Sequence, residues 1–370
     1  MRRWSAAALA VVGVASVGCA SDPDPCSGGP GTVCAIAGTG DRAYNGDGKA
    51  ADKTAFYLPS VARRGPDGLV YVMDYNNMRL RRIEADGTIA TIAGDGQHSG
   101  AAIGELATDS SFENPIDFDF LPDGSIVLVS SHDARVLQID LDGRVQLLAG
   151  SLESPFPGRE GDGGPGSGAR FWELAGIAVA PDGAVYMSDT GDQRVRVLRN
   201  GIMDTVAGNG TQGYAGDGAS AKSAQLSTPT ALDVDAAGNL YISDTGNCAI
   251  RKVTPDGIIT TVAGIGMMGF GGDGGQASSA MLAHQEGLAV APDGTLYIAD
   301  RFNYRIRSVS PAGEISTIAG TGVAGSTGDG GSALDATFGY VARLRIDTDG
   351  GLLVADQSNG IVRKIAGPLP

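Results

Sequence analysis

The chain has 370 residues, of which 58 are glycine and 42% are apolar, and its formal net charge at pH 7 is −15. The apolar fraction is sufficient for a packed core and argues against a disordered chain. The acidic balance, without any run of Lys or Arg, argues against nucleic acid as a partner. The glycine content indicates many turns.

The N-terminus has the features of an export signal. Two arginines precede an apolar run over residues 5–17, which is too short to cross a membrane comfortably. Cys19 follows Ser-Val-Gly, which resembles a bacterial lipobox with Ser where Leu is usual. We expect a signal peptide over residues 1–18, lipidation of Cys19 and a tether over residues 19–30. A plain secretory signal with an incidental Cys19 is the alternative.

The rest of the chain is repetitive. An Ala-Gly dipeptide recurs six times, at spacings of 56 or 58 residues. Each unit contains a long Gly-rich loop and four short apolar segments, separated by tight Asp-Gly or similar turns that are typical of hairpins. Four antiparallel strands repeated radially bury their faces against neighbouring units. We therefore predict an all-β, six-bladed β-propeller, with strands named a to d from the centre outward.

The sixth unit ends after its third strand. The missing fourth strand is found at the other end of the chain, because residues 32–38 match the sequence of residues 88–94, which form the fourth strand of the first unit. We predict that the N-terminal strand, residues 31–37, pairs with residues 361–365 and completes the last blade. The propeller then spans residues 31–367 and has no open sheet edge where the ring closes.

These units resemble NHL repeats. The resemblance rests on residues 298–300 (Ile-Ala-Asp), Asn303 and residues 305–307 (Arg-Ile-Arg), together with their counterparts in the other units. It covers residues 31–367 and implies the propeller fold. It is weak for function, because NHL propellers include binding modules, scaffolds and a few lyases.

One Asp and one Arg recur in five blades. The Asp ends strand b and the Arg lies on strand c: Asp74, Asp189, Asp244, Asp300 and Asp356, with Arg81, Arg196, Arg251, Arg307 and Arg363. We interpret both as structural, the Asp accepting hydrogen bonds from turn amides and the Arg pairing with a carboxylate of another blade. A functional site built from them is the alternative.

The d-to-a loops and the b-to-c turns should share one face, which we call the long-loop face. Five of these loops contain Gly-Asp-Gly, with Asp47, Asp162, Asp217, Asp273 and Asp329. They are weak metal candidates, because Ca²⁺ needs six to eight oxygen ligands. An Asp that closes a glycine turn is the favoured interpretation. No cofactor is expected, and Ca²⁺ stays an open alternative.

Two loops depart from the pattern. The third is longer and contains Trp172, whereas the second has lost Gly-Asp-Gly and carries His98. Blade 2 also ends strand b in Ser130 and places His132 and Asp133 in the following turn. This divergence marks either a ligand surface or drift.

Strand a should face the central channel, where blades 1, 2 and 6 carry charges: Arg63, Asp117, Asp119, Arg343 and Arg345. Charges near a narrow axis need partners, so we predict an Arg/Asp network on one side of the channel. Structural pairing and ligand binding are both open interpretations. The candidate ligand-binding residues are these five with Trp172, Glu173, His284, Glu286 and Tyr340.

The function that we predict is a monomeric binding or scaffolding propeller that is exported and anchored in the cell envelope, or otherwise secreted. Its long-loop face would take a protein, peptide or glycan, and only the lipid would contact a membrane. The alternative is a lactonase-like or amidating-lyase-like enzyme with a metal-assisted site in the channel mouth. A zinc site wants several converging imidazoles, and only His98, His132 and His284 exist.

The remaining cysteines suggest a clip at the ring closure. Cys26 and Cys34 are separated by seven residues, three of them glycine and one proline, so the chain can turn back and form a disulfide in an oxidising compartment. The alternative is that Cys34 is a small buried residue and that Cys26 is free.

Overall fold

The computed structural model describes residue 26, residues 28–151 and residues 160–369. This part of the chain forms six four-stranded antiparallel sheets, which confirms the six-bladed β-propeller. Blade 1 consists of β2 (Pro59–Arg64), β3 (Val70–Asp74), β4 (Arg79–Ile83) and β5 (Ile89–Ala93). Blade 2 consists of β6 (Pro115–Phe120), β7 (Ile126–Ser130), β8 (Arg135–Ile139) and β9 (Val145–Ala149). Blade 3 consists of β10 (Leu174–Val179), β11 (Val185–Asp189), β12 (Arg194–Arg199) and β13 (Ile202–Ala207). Blade 4 consists of β14 (Pro229–Val234), β15 (Leu240–Asp244), β16 (Ala249–Val253) and β17 (Ile259–Ala263). Blade 5 consists of β18 (Gly287–Val290), β19 (Leu296–Asp300), β20 (Arg305–Val309) and β21 (Ile315–Ala319). Blade 6 consists of β22 (Val341–Ile346), β23 (Leu352–Asp356), β24 (Ile361–Ile365) and β1 (Val33–Ala37).

The ring is closed by the first strand of the chain. β1 lies at the outer edge of blade 6 and pairs antiparallel with β24, with Val33 opposite Ile365 and Cys34 opposite Lys364. Beyond the strand, the Gly31 amide donates to the carbonyl of Ala366 over 2.8 Å. The predicted closure is therefore confirmed.

The repeated Ala-Gly dipeptide has a steric cause. Gly94 has a φ of +94°, and a Cβ on it would collide with the carbonyl oxygen of Met78. Its amide also donates to the carbonyl of Ala107, over 2.8 Å. Strand d thus leaves the sheet in a conformation that glycine alone adopts without strain, close to the backbone of strand c.

The hydrophobic core is divided among the spaces between blades. Between blades 1 and 2, for example, Tyr71 and Met73 pack with Phe118 and Leu128. Similar buried clusters lie between the other neighbouring blades. Burying one such side chain contributes about 1.5 to 3 kcal/mol. The blades therefore depend on one another for their apolar contacts.

Each long loop holds a short 3-10 turn. The turns in the d-to-a loops are Ala51–Lys53, Ala107–Asp109, Gly166–Gly168, Ala221–Ser223, Ala277–Ser279 and Ala333–Asp335. Four b-to-c turns are also 3-10: Tyr75–Asn77, Thr245–Asn247, Arg301–Asn303 and Gln357–Asn359. The first residue of every loop turn is buried, so these loops pack on their own blades.

The predictions for the N-terminus concern other residues. The signal peptide, the lipidation of Cys19 and most of the tether lie outside the described residues. Among the residues that are described, no helix is both long enough and apolar enough to cross a membrane.

Candidate functional site

The recurring Asp and Arg form a buried structural unit. In blade 1 the guanidinium of Arg81 is fully buried, 3.4 Å from Asp74 and 2.8 Å from Asp47 of the Gly-Asp-Gly loop. Asp74 also accepts a hydrogen bond from the amide of Tyr57 over 2.7 Å. Four more blades repeat the pairing, as Asp162–Arg196–Asp189, Asp217–Arg251–Asp244, Asp273–Arg307–Asp300 and Asp329–Arg363–Asp356.

The prediction that the Arg pairs with a carboxylate of another blade is wrong. Both carboxylates belong to the same blade as the Arg or to the loop that leads into that blade. The cause is the loop path: Asp47 accepts the Thr91 amide of β5 over 3.0 Å, so the loop folds back over its own outer strand. The prediction that this Asp closes a glycine turn is wrong for the same reason, because its oxygens bind Arg81 and Thr91.

Burial dominates the electrostatics of the inner carboxylates. It raises the pKa of Asp74, Asp189, Asp244 and Asp356 to about 6, against hydrogen bonds and the nearby Arg, which lower it. The five loop carboxylates, which were the metal candidates, each pair with the strand-c Arg of the blade that their loop leads into.

Blade 2 lacks this unit as a whole. Ile103, Ser130 and Leu137 stand at the positions of the loop Asp, the strand-b Asp and the strand-c Arg. Leu137 is fully buried in the core between blades 1 and 2, and the Ser130 hydroxyl donates to the Glu113 carbonyl over 2.7 Å. An apolar core contact has replaced a buried ion group, which is energetically acceptable when all its members are exchanged together.

The charges of strand a form ion pairs inside the channel. Arg63 contacts Asp119, while Arg343 and Arg345 each lie 3.3 Å from Asp117. The expected pairs among these residues are therefore present. Asp117, Asp119 and both blade 6 arginines are almost fully buried, so these charges are shielded from solvent inside the ring.

The network does not stay on one side of the channel, contrary to the prediction. Arg343 reaches across to the carbonyl of Ala175 in blade 3 over 2.7 Å, and Asp119 accepts the Val179 amide over 2.9 Å. Asp233 of blade 4 also takes part: burial raises its pKa, while the nearby Arg345 lowers it. Sequence reasoning missed Asp233, although it occupies the same strand-a position as Arg63, Asp119 and Arg345.

An aromatic and charged group lies on the long-loop face where blades 5 and 6 meet. The ring of His284 stacks on Phe302, with centroids 4.5 Å apart, and Phe302 lies 5.5 Å from Tyr340. Glu286 lies 3.2 Å from His284 Nδ1 and contacts Arg301. We call these five residues the blade 5–6 patch. Burial and the nearby Arg301 lower the pKa of His284.

The patch brings together three of the predicted residues and adds two. Phe302 and Arg301 belong to the b-to-c turn of blade 5, and sequence reasoning missed them. A comparison of the b-to-c turns could have identified Phe302, because blades 3 and 4 have glycine at this position, Gly191 and Gly246. Phe302 is 43% exposed, so the patch presents an aromatic ring to solvent.

Trp172 and Glu173 lie on the same face but in another sector. Trp172 is 52% exposed and covers Gly191 in the b-to-c turn of blade 3. Its amide donates to Asp189 over 2.9 Å, and the carbonyl of Glu173 accepts the Thr190 amide over 2.7 Å. The structure therefore does not bring these two residues to the blade 5–6 patch.

Two of the three histidines meet a carboxylate in blade 2. His98 Nδ1 lies 3.1 Å from Glu113 Oε1, and His132 Nδ1 lies 3.6 Å from the same oxygen. Glu113 was not a candidate, because nothing in the sequence shows that the second loop returns to the b-to-c turn. His284 lies instead in the blade 5–6 patch.

A groove of about 730 Å³ lies on the opposite face, between blades 3 and 4. Four of its charged side chains pair with one another. Lys222 lies 2.8 Å from Asp204, and Arg199 lies 3.4 Å from Asp182.

The two cysteines of the predicted clip are joined by a disulfide. The Cα atoms of Cys26 and Cys34 are 5.6 Å apart, within the usual range for a bridge, and both residues are buried. The Cys26–Cys34 bridge ties residue 26 to β1, the strand that closes the ring.

Comparisons with known proteins agree with this architecture. A solved auxiliary nutrient binding protein from Bacteroides ovatus has a TM-score of 0.65 at 16% identity, with 90% of this chain and 76% of that one covered. A gluconolactonase from Xanthomonas campestris has a TM-score of 0.55 at 14% identity, covering 85% and 87%. At such identities the likeness shows the fold alone.

Sequence relatives are more specific. The mouse protein Teneurin-1 is 30% identical over 375 residues, which cover 91% of this chain and 13% of that protein. The chain spans 12% to 13% of the length of the first teneurins that it matches. The sequence profile of the Teneurin NHL domain matches residues 30–212, 206–269 and 267–310, which is most of the chain. The chain therefore belongs to the Teneurin NHL domain family.

Proposed function

We propose that this protein is an exported binding module whose long-loop face engages an extracytoplasmic protein or peptide. The blade 5–6 patch is the observation that carries the proposal. It combines exposed Phe302 with Tyr340 and His284, beside the paired Arg301 and Glu286. Aromatic residues and Arg are enriched among the interface residues that carry most of the binding energy, and aromatic rings bury a large area at a small entropic cost.

The patch is held on rigid backbone. Phe302 lies in a 3-10 turn directly after β19, and its amide donates to the Ala283 carbonyl over 3.1 Å. His284 has a φ of +53° and lies three residues before the start of β18. Because the backbone that carries these side chains is already ordered, less conformational freedom is lost on binding, which favours affinity.

The buried charges of the channel favour a binding role at its mouth over catalysis deep inside it. Asp117 and the arginines that surround it are buried and paired, so a substrate would have to break this network in order to enter. A partner that lies across the mouth needs no such change. A metal-assisted hydrolase or lyase is the second candidate, and the cluster of His98, Glu113 and His132 favours it.

Export and anchoring are part of the proposal. The Cys26–Cys34 disulfide supports an oxidising compartment. Lipidation at Cys19 would place the propeller at the cell envelope, with the tether between the lipid and the closing strand. A secreted form without lipid is the alternative. Metabolic labelling with a fatty acid, in the parent and in Cys19→Ser, distinguishes the two.

The binding proposal is tested with the purified protein, a displayed peptide library and a glycan array. Selected peptides should bind Phe302→Ala and Tyr340→Ala at least about tenfold more weakly than the parent, a loss of about 1.4 kcal/mol. Leu141→Ala is the control, since Leu141 is 72% exposed in a c-to-d hairpin on the opposite face. Ligands that are insensitive to both patch variants, or ligands found on the glycan array alone, would contradict the proposal.

A further inference from the structure

The cluster in blade 2 has the composition of a transition-metal site. His98 comes from the second long loop, Glu113 precedes strand a, and His132 lies in the b-to-c turn. One potential ligand atom from each residue lies within 4.8 Å of those of the other two. Two imidazoles and one carboxylate are a ligand set that Zn²⁺ takes in sites with an open fourth position.

The distances fit a tetrahedral ion. Zinc bonds to nitrogen and oxygen of about 2.0 to 2.2 Å place two ligand atoms roughly 3.3 Å apart. The two separations from Glu113 Oε1, 3.1 Å to His98 and 3.6 Å to His132, lie on either side of this value. The ligand atoms of the two imidazoles lie within 4.8 Å of each other, so the two rings must approach each other to bring all three atoms to this spacing.

The internal repeats provide a comparison between blades. Tyr57, Trp172, Ser227, Ala283 and Gly339 occupy the position of Glu113, and Asn76, Gly191, Gly246, Phe302 and Ser358 occupy that of His132. Counted from the Ala-Gly dipeptide, the position of His98 holds Arg42, Gln212, Met268 and Ala324 in four other loops. None of these side chains is an imidazole or a carboxylate. Blade 2 alone has all three ligands, and it is also the blade that lacks the buried ion unit.

The backbone around the cluster is fixed from several sides. Ser130 Oγ donates to the carbonyl of Glu113 over 2.7 Å, and the Ser131 amide donates to the carbonyl of Asn114 over 3.0 Å. Asp133, next to His132, accepts a hydrogen bond from Arg135 Nε over 2.8 Å. These contacts order the backbone that carries Glu113 and His132, so less conformational freedom is lost when the side chains converge on an ion.

We propose that His98, Glu113 and His132 bind one Zn²⁺ ion. The histidine side chains are 51% and 56% exposed and that of Glu113 is 19% exposed, so the fourth position faces solvent on the long-loop face. Water or an oxygen atom of a bound partner, such as a carboxylate or a hydroxyl, would fill it. The site does not depend on the blade 5–6 patch, so either proposal can fail without the other.

The test is metal binding by the untagged, full-length protein after chelation. Titration with Zn²⁺ should give one ion per chain, and Co²⁺ should give the visible absorption of a tetrahedral site. His98→Ala, Glu113→Gln and His132→Ala should each weaken binding at least about tenfold. Glu105→Gln is the matched control, an exposed carboxylate in the same loop.

Two results would overturn the proposal. The first is a parent protein that binds no Zn²⁺ at micromolar concentrations. The second is undiminished binding by the double variant His98→Ala/His132→Ala, in which His284 is the remaining histidine of the sequence. A thermal shift with Zn²⁺ that appears in the parent and in Glu105→Gln, but not in the double variant, would support the site through stability instead of affinity.

Discussion

Removing Arg251 should destabilise the propeller more than any exposed arginine does. Its side chain is fully buried, 3.1 Å from Asp244 and 2.6 Å from Asp217. In Arg251→Leu the carboxylate of Asp244 stays buried without its cation. Breaking a buried pair in this way costs about 3 to 5 kcal/mol. For a domain of this size the loss corresponds to a fall in Tm on the order of 4 to 7 °C.

The loss should depend on pH, and its sign follows from Asp244. Burial raises the pKa of Asp244 to about 6, above the value of 3.8 in an unfolded chain. A carboxyl group of this kind stabilises the fold when it is protonated, and this contribution is lost as the pH rises from about 4 through 6. Without Arg251 the pKa rises further. The destabilisation by Arg251→Leu should therefore be smaller at pH 5 than at pH 8.

Blade 2 suggests the compensating variant. Asp217→Ile, Asp244→Ser and Arg251→Leu together copy Ile103, Ser130 and Leu137 of that blade. This triple variant should lose less than half as much stability as Arg251→Leu alone, since no buried charge is left without a partner.

Thermal unfolding followed by circular dichroism measures these changes at both pH values. Arg199→Leu is the control, because Arg199 is 53% exposed and its pair with Asp182 should contribute at most about 1 kcal/mol. A loss of stability in Arg251→Leu no larger than that of this control would contradict the role assigned to the buried arginine. A triple variant whose loss equals the sum of its three single losses would refute it as well.

Two further predictions concern the closure and the channel. Mass spectrometry of the unreduced protein should find no alkylatable thiol at Cys26 or Cys34, and two free thiols would contradict the disulfide. Cys26→Ser should lower the stability by about 2 to 3 kcal/mol. Asp117→Asn should lower the stability by about 3 to 5 kcal/mol, which differential scanning calorimetry can measure. The reason is that the variant leaves Arg343 and Arg345 without the carboxylate that lies 3.3 Å from each of them. An unchanged Tm would mean that other groups neutralise both arginines.

The fold was predictable because its determinants are local and repeated. The glycine of each Ala-Gly dipeptide is required where strand d leaves the sheet, as Gly94 shows, and so it marks every unit in the sequence. The closing strand was predictable for the same reason, since residues 32–38 carry the fourth-strand text. The partner of Arg81 was not predictable, because it depends on the path of a loop of about twenty residues whose turns the sequence does not specify.

The site was predictable only in part. Residues on strands appeared where the repeat register placed them, such as Arg63 beside Asp119. The meeting of Glu113 with His132 was not predictable, because it requires two separate loops to approach each other. Phe302 was missed because an exposed aromatic in a turn has no signal of its own until Tyr340 is seen beside it. Side chains from different loops therefore need coordinates, whereas strand positions do not.

The pairing of β1 with β24 has a consequence for the order of folding. Val33 leaves the ribosome more than 300 residues before its partner Ile365. Early blades can form their hairpins as they emerge, since those contacts are local in sequence. The N-terminal strand, in contrast, must wait unpaired until β24 has been made. Blade 6 is thus the last to be completed, and until then its edge and the waiting strand are open to strand exchange with another copy of the chain.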